Sequence, residues 1–161
     1  MKLVDHPLLN RYSGKPAVLD SNLLLFRSCS EPDPTLAARF KRLNTLQRAD
    51  AEILSETLSV FSQIRTTPHA LTEVSNPANQ LPSWIKEEWS RQFANQISLV
   101  AGDWIPAATI ASNEFIGLGL TEPALAQVAS TLTLGSPLNN SRESRGLNVI
   151  NFAHLRSLWL E

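Results

Sequence analysis

The chain has 161 residues, of which 43% are apolar and 18% are charged, and its formal net charge is −1. Such a composition argues against intrinsic disorder, and the balanced charge argues against a strongly cationic, chromatin-like nucleic-acid binder. The longest uninterrupted apolar run, residues 23–26, is far shorter than the ~20 residues that a membrane span needs. We therefore expect no membrane segment.

The first residues and the cysteine content bear on the compartment. Asp5 stands where a secretory signal would have its apolar stretch, and the single cysteine, Cys29, cannot form an intrachain disulfide. We therefore expect a cytoplasmic protein with one domain over residues 1–161, in which residues 1–15 are an N-terminal extension.

The first part of the chain predicts two strands and two helices. Residues 17–20 form a short apolar run that ends in an acid, which is typical of a buried strand, whereas residues 23–26 fit either a strand or a helix. An Asp-Pro pair supplies an N-cap and a first-turn proline for a helix near residues 34–43. Apolar residues at helical spacing predict a helix over residues 50–61, and residues 62–66 follow as the second strand.

The middle of the chain is mostly helical in its pattern. A Thr-Pro pair opens a helix over residues 68–75, and residues 81–97 carry the clearest amphipathic stripe of the sequence, with Trp84 and Ile97 on it. Residues 99–100 begin a third strand, and a short helix follows over residues 106–112.

The last part of the chain continues the alternation of strands and helices. Thr121 is expected to cap a helix that runs to about residue 129, and residues 130–134 form a strand. A short helix over residues 137–145 and a strand over residues 147–150 come next. This alternation predicts an α/β fold with a mostly parallel sheet and right-handed crossovers.

Common nucleotide-binding motifs are missing from the sequence. There is no phosphate-binding loop, and Gly117 and Gly119 are followed by Glu122 where the dinucleotide fingerprint needs a third glycine. One cysteine also cannot make a zinc ribbon. The chemistry must therefore be sought among other side chains.

Carboxylates follow the predicted strands. Asp20 ends the first strand, Glu73 lies on the helix after the second, and Glu122 stands at the start of a later helix. Ligands of open α/β sheets bind beyond the carboxyl ends of the strands, so these acids can converge there. They would repel one another unless a cation neutralised them, and hard oxygen ligands select Mg²⁺ or Mn²⁺. Acids after strands are nevertheless common whatever a protein does.

Three other patterns each have a functional and a structural interpretation. His69 and Glu73 lie four residues apart and could share a metal, or His69 could simply pack beside the start of its helix. The aromatic side chains could stack on bases or fill the core. A segment without acids could track a phosphate backbone or form a solvated face; its candidate RNA-binding cations are Arg39, Lys41, Arg42 and Arg48.

Four segments resemble, in order, the motifs of the PIN domain family. Residues 16–25 (PAVLDSNLLL) resemble its opening strand, and residues 66–76 (TTPHALTEVSN) resemble its second acidic motif. Residues 119–125 (GLTEPAL) resemble the third motif. Residues 150–156 (INFAHLR) are similar to a tail found in one bacterial branch of PIN-like proteins. The resemblance therefore extends over nearly the whole chain.

The resemblance implies a fold and an activity. The fold is a three-layer α/β/α sandwich with a central, mostly parallel sheet, and the activity is that of a metal-dependent endoribonuclease that hydrolyses phosphodiesters with Mg²⁺ or Mn²⁺. Asp20, Glu73 and Glu122 would be the catalytic, metal-holding acids. Asn22 would be a polar neighbour of the first acid, and Thr121 would support the site as a cap rather than as a ligand.

The fourth acidic position departs from the family pattern. The family expects a threonine followed by one or two aspartates, whereas this chain has Thr133 and then Leu134, Gly135 and Ser136. Thr133 and Ser136 offer only supporting hydroxyls, and Glu122 replaces the aspartate that is commoner in the third motif. The loss of one acid weakens binding of a second metal most. The alternative is therefore a catalytically inactive PIN-like module that binds RNA or a protein partner.

The resemblance also implies partners. RNA is the expected substrate or ligand, and no membrane partner is expected. Small bacterial PIN proteins are often toxins neutralised by an antitoxin, so an antitoxin or another protein is a further candidate partner. A homodimer is a further candidate assembly.

Overall fold

A computed structural model describes residues 5–31, 33, 35–110, 121–126, 130–133 and 149–159. The described strands are β1 (Pro16–Leu19), β2 (Gln63–Thr66), β3 (Ala101–Gly102), β4 (Ser130–Thr133) and β5 (Val149–Asn151). The described α-helices are α1 (Pro7–Asn10), α2 (Ser21–Ser30), α3 (Arg48–Ser59), α4 (Pro68–Ser75), α5 (Ser83–Leu99), α6 (Ala107–Ile110), α7 (Thr121–Ala126) and α8 (Phe152–Trp159). Short 3₁₀ helices cover Leu36–Arg39, Lys41–Leu43 and Asn76–Gln80.

The five strands form one sheet in the order β3-β2-β1-β4-β5, and every neighbouring pair is parallel. In the central register, Ala17 pairs with Ile64 of β2 on one side and with Ser130 of β4 on the other. Because all strands run the same way, their carboxyl ends lie along one edge of the sheet. The prediction of an α/β fold with a mostly parallel sheet is confirmed.

Both faces of the central strand β1 are covered. Ala17 and Leu19 belong to the large apolar cluster, whereas Val18, which points to the other face, packs with Ala70 of α4 and Leu125 of α7. All five side chains are almost wholly buried. Burial on both faces explains why β1 reads as a continuous apolar run rather than an alternating one.

Helix α2 contains residues 23–26, for which the sequence left strand and helix open. It packs against α3, α4 and α5, and most of its length is buried. Asp20 is its N-cap, since the Asp20 side chain accepts a hydrogen bond from the backbone N–H of Leu23. The helix therefore begins directly at the carboxyl end of β1.

The prediction of a helix near residues 34–43 is wrong in type. The segment forms two 3₁₀ helices, separated by the extended backbone of Phe40 (φ −102°, ψ 113°), whose side chain is buried. The Asp33 carboxylate accepts hydrogen bonds from the backbone N–H and the hydroxyl of Thr35, both at 2.8 Å, which closes a local turn. Burial of Phe40 and this turn prevent one continuous helix; Pro34 lies outside the described residues.

The amphipathic stripe predicted over residues 81–97 forms α5 but is narrower than the sequence indicates. Ile85, Trp89 and Phe93 are buried, whereas Trp84 is 75% exposed and Ile97 is 37% exposed. Residues 85, 89 and 93 are spaced by four and, together with Gln96, form the buried face of α5. Trp84 lies on the neighbouring, solvated side of the first turn.

The two ends of the described chain join the core. Leu9 of α1 and the nearby Tyr12 are buried within residues 1–15. Asn151 at the end of β5 accepts a hydrogen bond from the backbone N–H of Ala153, which favours the start of α8 there. None of the helices in the described ranges has both the length and the apolar character to cross a bilayer.

The later boundaries differ slightly from those predicted. Helix α7 includes Thr121 as its first residue rather than following it, and its described part ends at Ala126. The last strand is described over Val149–Asn151 and so extends one residue beyond its predicted end, and residues 147–148 lie outside the described residues. The helix predicted over residues 137–145 lies outside the described residues.

Candidate functional site

Asp20 lies at the carboxyl end of the central strand and at the N-terminus of α2. Its side chain is buried (2% exposed), and Oδ1 accepts a hydrogen bond of 2.8 Å from the backbone N–H of Leu23. A carboxylate is favoured at this position because a helix N-terminus carries partial positive charge. The orientation of Asp20 is thus fixed by the helix that it caps.

Glu73 reaches the same place from the second turn of α4. Its Oε1 accepts a hydrogen bond of 2.9 Å from the hydroxyl of Ser21, the residue that follows Asp20. Two of the three acids that the sequence singles out, 53 positions apart in the chain, therefore lie at one helix N-terminus. The parallel sheet causes this, since α2 and α4 each begin just beyond the carboxyl end of neighbouring strands.

Arg42 joins these elements. Its Nη2 donates to Glu73 Oε1 and to Ser21 Oγ, both at 3.0 Å, and its Nε donates to Asn22 Oδ1 at 2.6 Å. The side chains of Arg42 and Glu73 are 30% and 39% exposed. We refer to Ser21, Asn22, Arg42 and Glu73 as the Arg42 network.

The sequence did not predict that Arg42 and Ser21 belong to this network. Arg42 is one of several cations in a stretch without acids, and no local pattern shows which of them turns inward. Ser21 is signalled only by its place next to Asp20. Asn22, expected as a polar neighbour of the first acid, does lie beside Asp20 and is held by Arg42.

The third acid lies on a helix that packs nearby. Helix α7, which carries Glu122, contacts α4, which carries Glu73, and Thr121 at its start is half-buried. The side chain of Glu122 lies outside the described part of the structure. Whether it completes the site therefore stays a prediction.

The fourth predicted position lies at the end of β4. Thr133 is the last residue of this strand and pairs with Asn151 of β5, on the side of β1 away from β2. This places its backbone at the same sheet edge as Asp20. The Thr133 side chain, residues 134–135 and Ser136 lie outside the described part.

Other polar groups occupy the edge on the β2 side. Asp103, which follows β3, forms a two-pronged ion pair with Arg65 of β2, so its charge is already matched. Among the described residues, Thr66 Oγ1 and His69 Nδ1 are buried without a hydrogen-bond partner. His69 therefore does not share a hydrogen bond with Glu73, and its Nδ1 and the Thr66 hydroxyl are two polar atoms at this edge that a polar ligand could bind.

The remaining cations of the basic segment differ from Arg42. Arg39, Lys41 and Arg48 are exposed. The Arg39 guanidinium lies over the ring of Trp84, 6.0 Å from its centroid. The basic segment thus places Arg39 against the exposed ring of Trp84, whereas its Arg42 side chain points towards Glu73.

A cavity of about 380 Å³ lies elsewhere, between the C-terminal half of α2 and α3. Phe26, Glu31, Leu54 and Leu58 are among the residues that line it. Because Asp20 caps the opposite end of α2, this cavity is separate from the candidate site.

The donor set of the site fits a hard divalent cation in kind. Asp20 and Glu73 supply carboxylate oxygens, which Mg²⁺ and Mn²⁺ prefer. Within the described residues no cluster of three or more metal-ligating side chains forms, so a complete site needs Glu122 or backbone and water oxygens. The guanidinium of Arg42 against Glu73 shows that this position already accommodates a positive charge.

No family model matches this chain, and no curated protein sequence does.

Proposed function

We propose that this protein is a PIN-like, Mg²⁺- or Mn²⁺-dependent endoribonuclease. The observation that supports this most is the hydrogen bond of 2.9 Å from Ser21, which brings Glu73 beside Asp20 at the carboxyl edge of an all-parallel sheet. Acids gathered at that edge, from two different strand–helix units, are typical of a ligand site rather than of a solubilising surface.

The roles of the residues follow from their positions. Asp20 and Glu73 would hold the ion, with Glu122 as the expected third acid. The bound ion would neutralise phosphate charge and promote attack by water on phosphorus. Asp20 is buried and oriented by the Leu23 N–H before any ion binds, so little ordering remains to be done on binding.

The basic segment supports single-stranded RNA as the substrate. Three exposed cations lie close to Arg42 in the chain: Arg39 and Lys41 precede it, and Arg48 follows it. The exposed ring of Trp84, with Arg39 over it, offers a base-stacking surface next to cations that can contact phosphates. This combination requires unpaired bases and favours a single strand over a duplex.

A second candidate function is a PIN-like module that binds RNA or a protein without cleaving. It is favoured by the ion pair between Arg42 and Glu73, which neutralises an acid that the nuclease needs, and by the sequence Leu134-Gly135 where the family has an acid. Under this hypothesis Arg42 is a permanent structural partner of Glu73.

Cleavage of a labelled single-stranded RNA by the purified protein tests the proposal. We expect cleavage with Mn²⁺ or Mg²⁺, none with EDTA, and a loss of roughly a hundredfold in Asp20→Asn, which keeps the size of the side chain but removes its charge. Glu52→Gln, which neutralises an exposed carboxylate on α3, is the matched control and should cleave normally. Binding of intact RNA by the wild type at every metal concentration would favour the second candidate instead.

A further inference from the structure

We propose that Arg42 is a built-in counter-ion of the candidate metal centre, so that its guanidinium and a divalent cation compete for Glu73. The inference rests on the proposed function, because it needs the acids to bind a metal. It assigns to Arg42 the role of setting the metal affinity of the centre.

The contacts of Arg42 converge on the acids. Its guanidinium reaches Ser21, Asn22 and Glu73 at 2.6 to 3.0 Å, and all three acceptors lie at the N-terminus of α2 or face it from α4. The planar fork of an arginine can make several such bonds at once, which a surface cation in solvent does not do. Arg42 is therefore held by the site rather than resting on it.

The two cations cannot share Glu73 Oε1. This oxygen already accepts from Ser21 at 2.9 Å and from Arg42 at 3.0 Å. A divalent ion would lie about 2.0–2.1 Å from a ligating oxygen, which leaves no room beside a guanidinium nitrogen at hydrogen-bond distance. Like charges would also repel at this separation. Binding of a metal at Oε1 therefore requires the Arg42 side chain to withdraw.

The fold allows this withdrawal without a backbone change. Arg42 lies on a single 3₁₀ turn, Lys41–Leu43, which is anchored by the buried side chains of Phe40 before it and Leu43 at its end. The Arg42 side chain itself is 30% exposed, so a rotation towards solvent is open to it. The guanidinium then stays tethered near the acids and returns when the metal leaves.

Competition lowers the apparent metal affinity by the fraction of molecules in which Arg42 is withdrawn. A partly exposed ion pair is a modest barrier, and its loss corresponds to an affinity gain of about fivefold. We therefore expect Arg42→Gln to bind Mn²⁺ about five times more tightly than the wild type does.

Calorimetric titration with Mn²⁺ and the Mn²⁺-induced rise in Tm test this without using activity. Arg42→Gln should show the tighter binding and the larger rise in Tm. Arg39→Gln is the matched control, because Arg39 belongs to the same segment but lies over Trp84, and it should bind like the wild type. In Arg42→Gln/Glu73→Gln the gain should disappear, since the contested oxygen is no longer a carboxylate.

The outcomes separate this inference from the proposed function. Equal binding by the wild type and Arg42→Gln, abolished by Glu73→Gln, would overturn the competition and leave the metal centre intact. Weaker binding by Arg42→Gln would also overturn it, because Arg42 would then be positioning Glu73 for the metal. Absence of Mn²⁺ binding in both would overturn both proposals. If Arg42→Gln does not fold, Arg42→Lys decides: it keeps the charge but not the fork, and it should bind Mn²⁺ more tightly than the wild type but by less than about fivefold; binding equal to or weaker than that of the wild type would overturn the competition.

Discussion

Arg42 Nη2 lies 3.0 Å from Glu73 Oε1, so an RNA-binding candidate and a metal-ligand candidate of the sequence are each other's partners. The pair links a 3₁₀ turn to α4 and, through Ser21, to the helix that Asp20 caps. The position of Glu73 therefore depends on Arg42 as well as on its own helix. A substitution at either residue tests the whole centre.

The two functions of Asp20, helix cap and candidate ligand, can be separated. Asp20→Ala removes the acceptor for the Leu23 N–H and should lower the free energy of unfolding by about 1 kcal/mol or more. Asp20→Asn retains an acceptor oxygen and should cost less, while it removes the charge that a metal needs. Urea denaturation measures the first effect and Mn²⁺ titration the second. Equal destabilisation by both variants would show that the charge rather than the cap stabilises α2.

The last helix is expected to depend on Asp50. This buried carboxylate accepts from the Gln47 N–H and from Arg156 Nε, both at 2.6 Å, so it caps α3 and anchors α8. Asp50→Ala should lower the free energy of unfolding by about 2 kcal/mol, because it removes a cap and strands a half-buried cation. Arg91→Gln, which breaks only exposed ion pairs on α5, is the control and should cost under about 0.5 kcal/mol.

Cys29 should be unreactive in the folded protein. Burial raises the pKa of its thiol from 9.0 to about 11, although hydrogen bonds with Ser28 and Trp89 partly oppose this. We expect no alkylation by iodoacetamide at pH 8 until the chain is unfolded, since the thiolate is the nucleophile. Rapid alkylation under native conditions would show that the site opens locally.

The raised pKa of Cys29 also predicts a pH dependence of stability. Above about pH 9 the unfolded chain loses the thiol proton while the folded chain keeps it, so folded stability falls as the pH rises from about 9 towards 11. This contribution amounts to roughly 2 kcal/mol at the upper end. Cys29→Ala should be less stable at neutral pH, because it leaves a cavity, but its loss between pH 9 and 11 should be smaller than that of the wild type. Parallel losses would contradict the prediction.

Trp84 should contribute to RNA binding and little to stability. Its ring is 75% exposed and lies under Arg39, so Trp84→Ala is expected to weaken binding of single-stranded RNA about tenfold while the Tm stays nearly unchanged. Fluorescence anisotropy in an Asp20→Asn background measures the affinity without cleavage. Trp104→Ala is the control, because Trp104 is equally exposed (76%) but no described cation lies over its ring. Equal effects of both variants would argue against a specific stacking position.

Local signals predicted the elements best where a cap and a hydrophobic period agree. The Thr-Pro start gives α4 its observed bounds, Pro68–Ser75, because Thr67 accepts from the Ala70 N–H as an N-cap should. The prediction of one helix after Asp33 was wrong because Phe40 is buried in extended backbone, which overrides the cap. Trp84 was predicted to lie on the apolar stripe but is exposed, because the sequence pattern does not show how much of a stripe the neighbouring elements cover.

The sequence by itself determined the alternation of strands and helices, the parallel sheet and the positions of Asp20 and Glu73 near its carboxyl edge, because apolar period, caps and chain direction act over a few residues. Only the tertiary structure decided that Arg42 turns towards Glu73 while Arg39 turns to Trp84, and that Arg156 reaches Asp50. The paired residues are 31, 45 and 106 positions apart in the chain, respectively. These pairings depend on which faces of separate elements meet, and that is set by the packing of the whole core rather than by any local pattern.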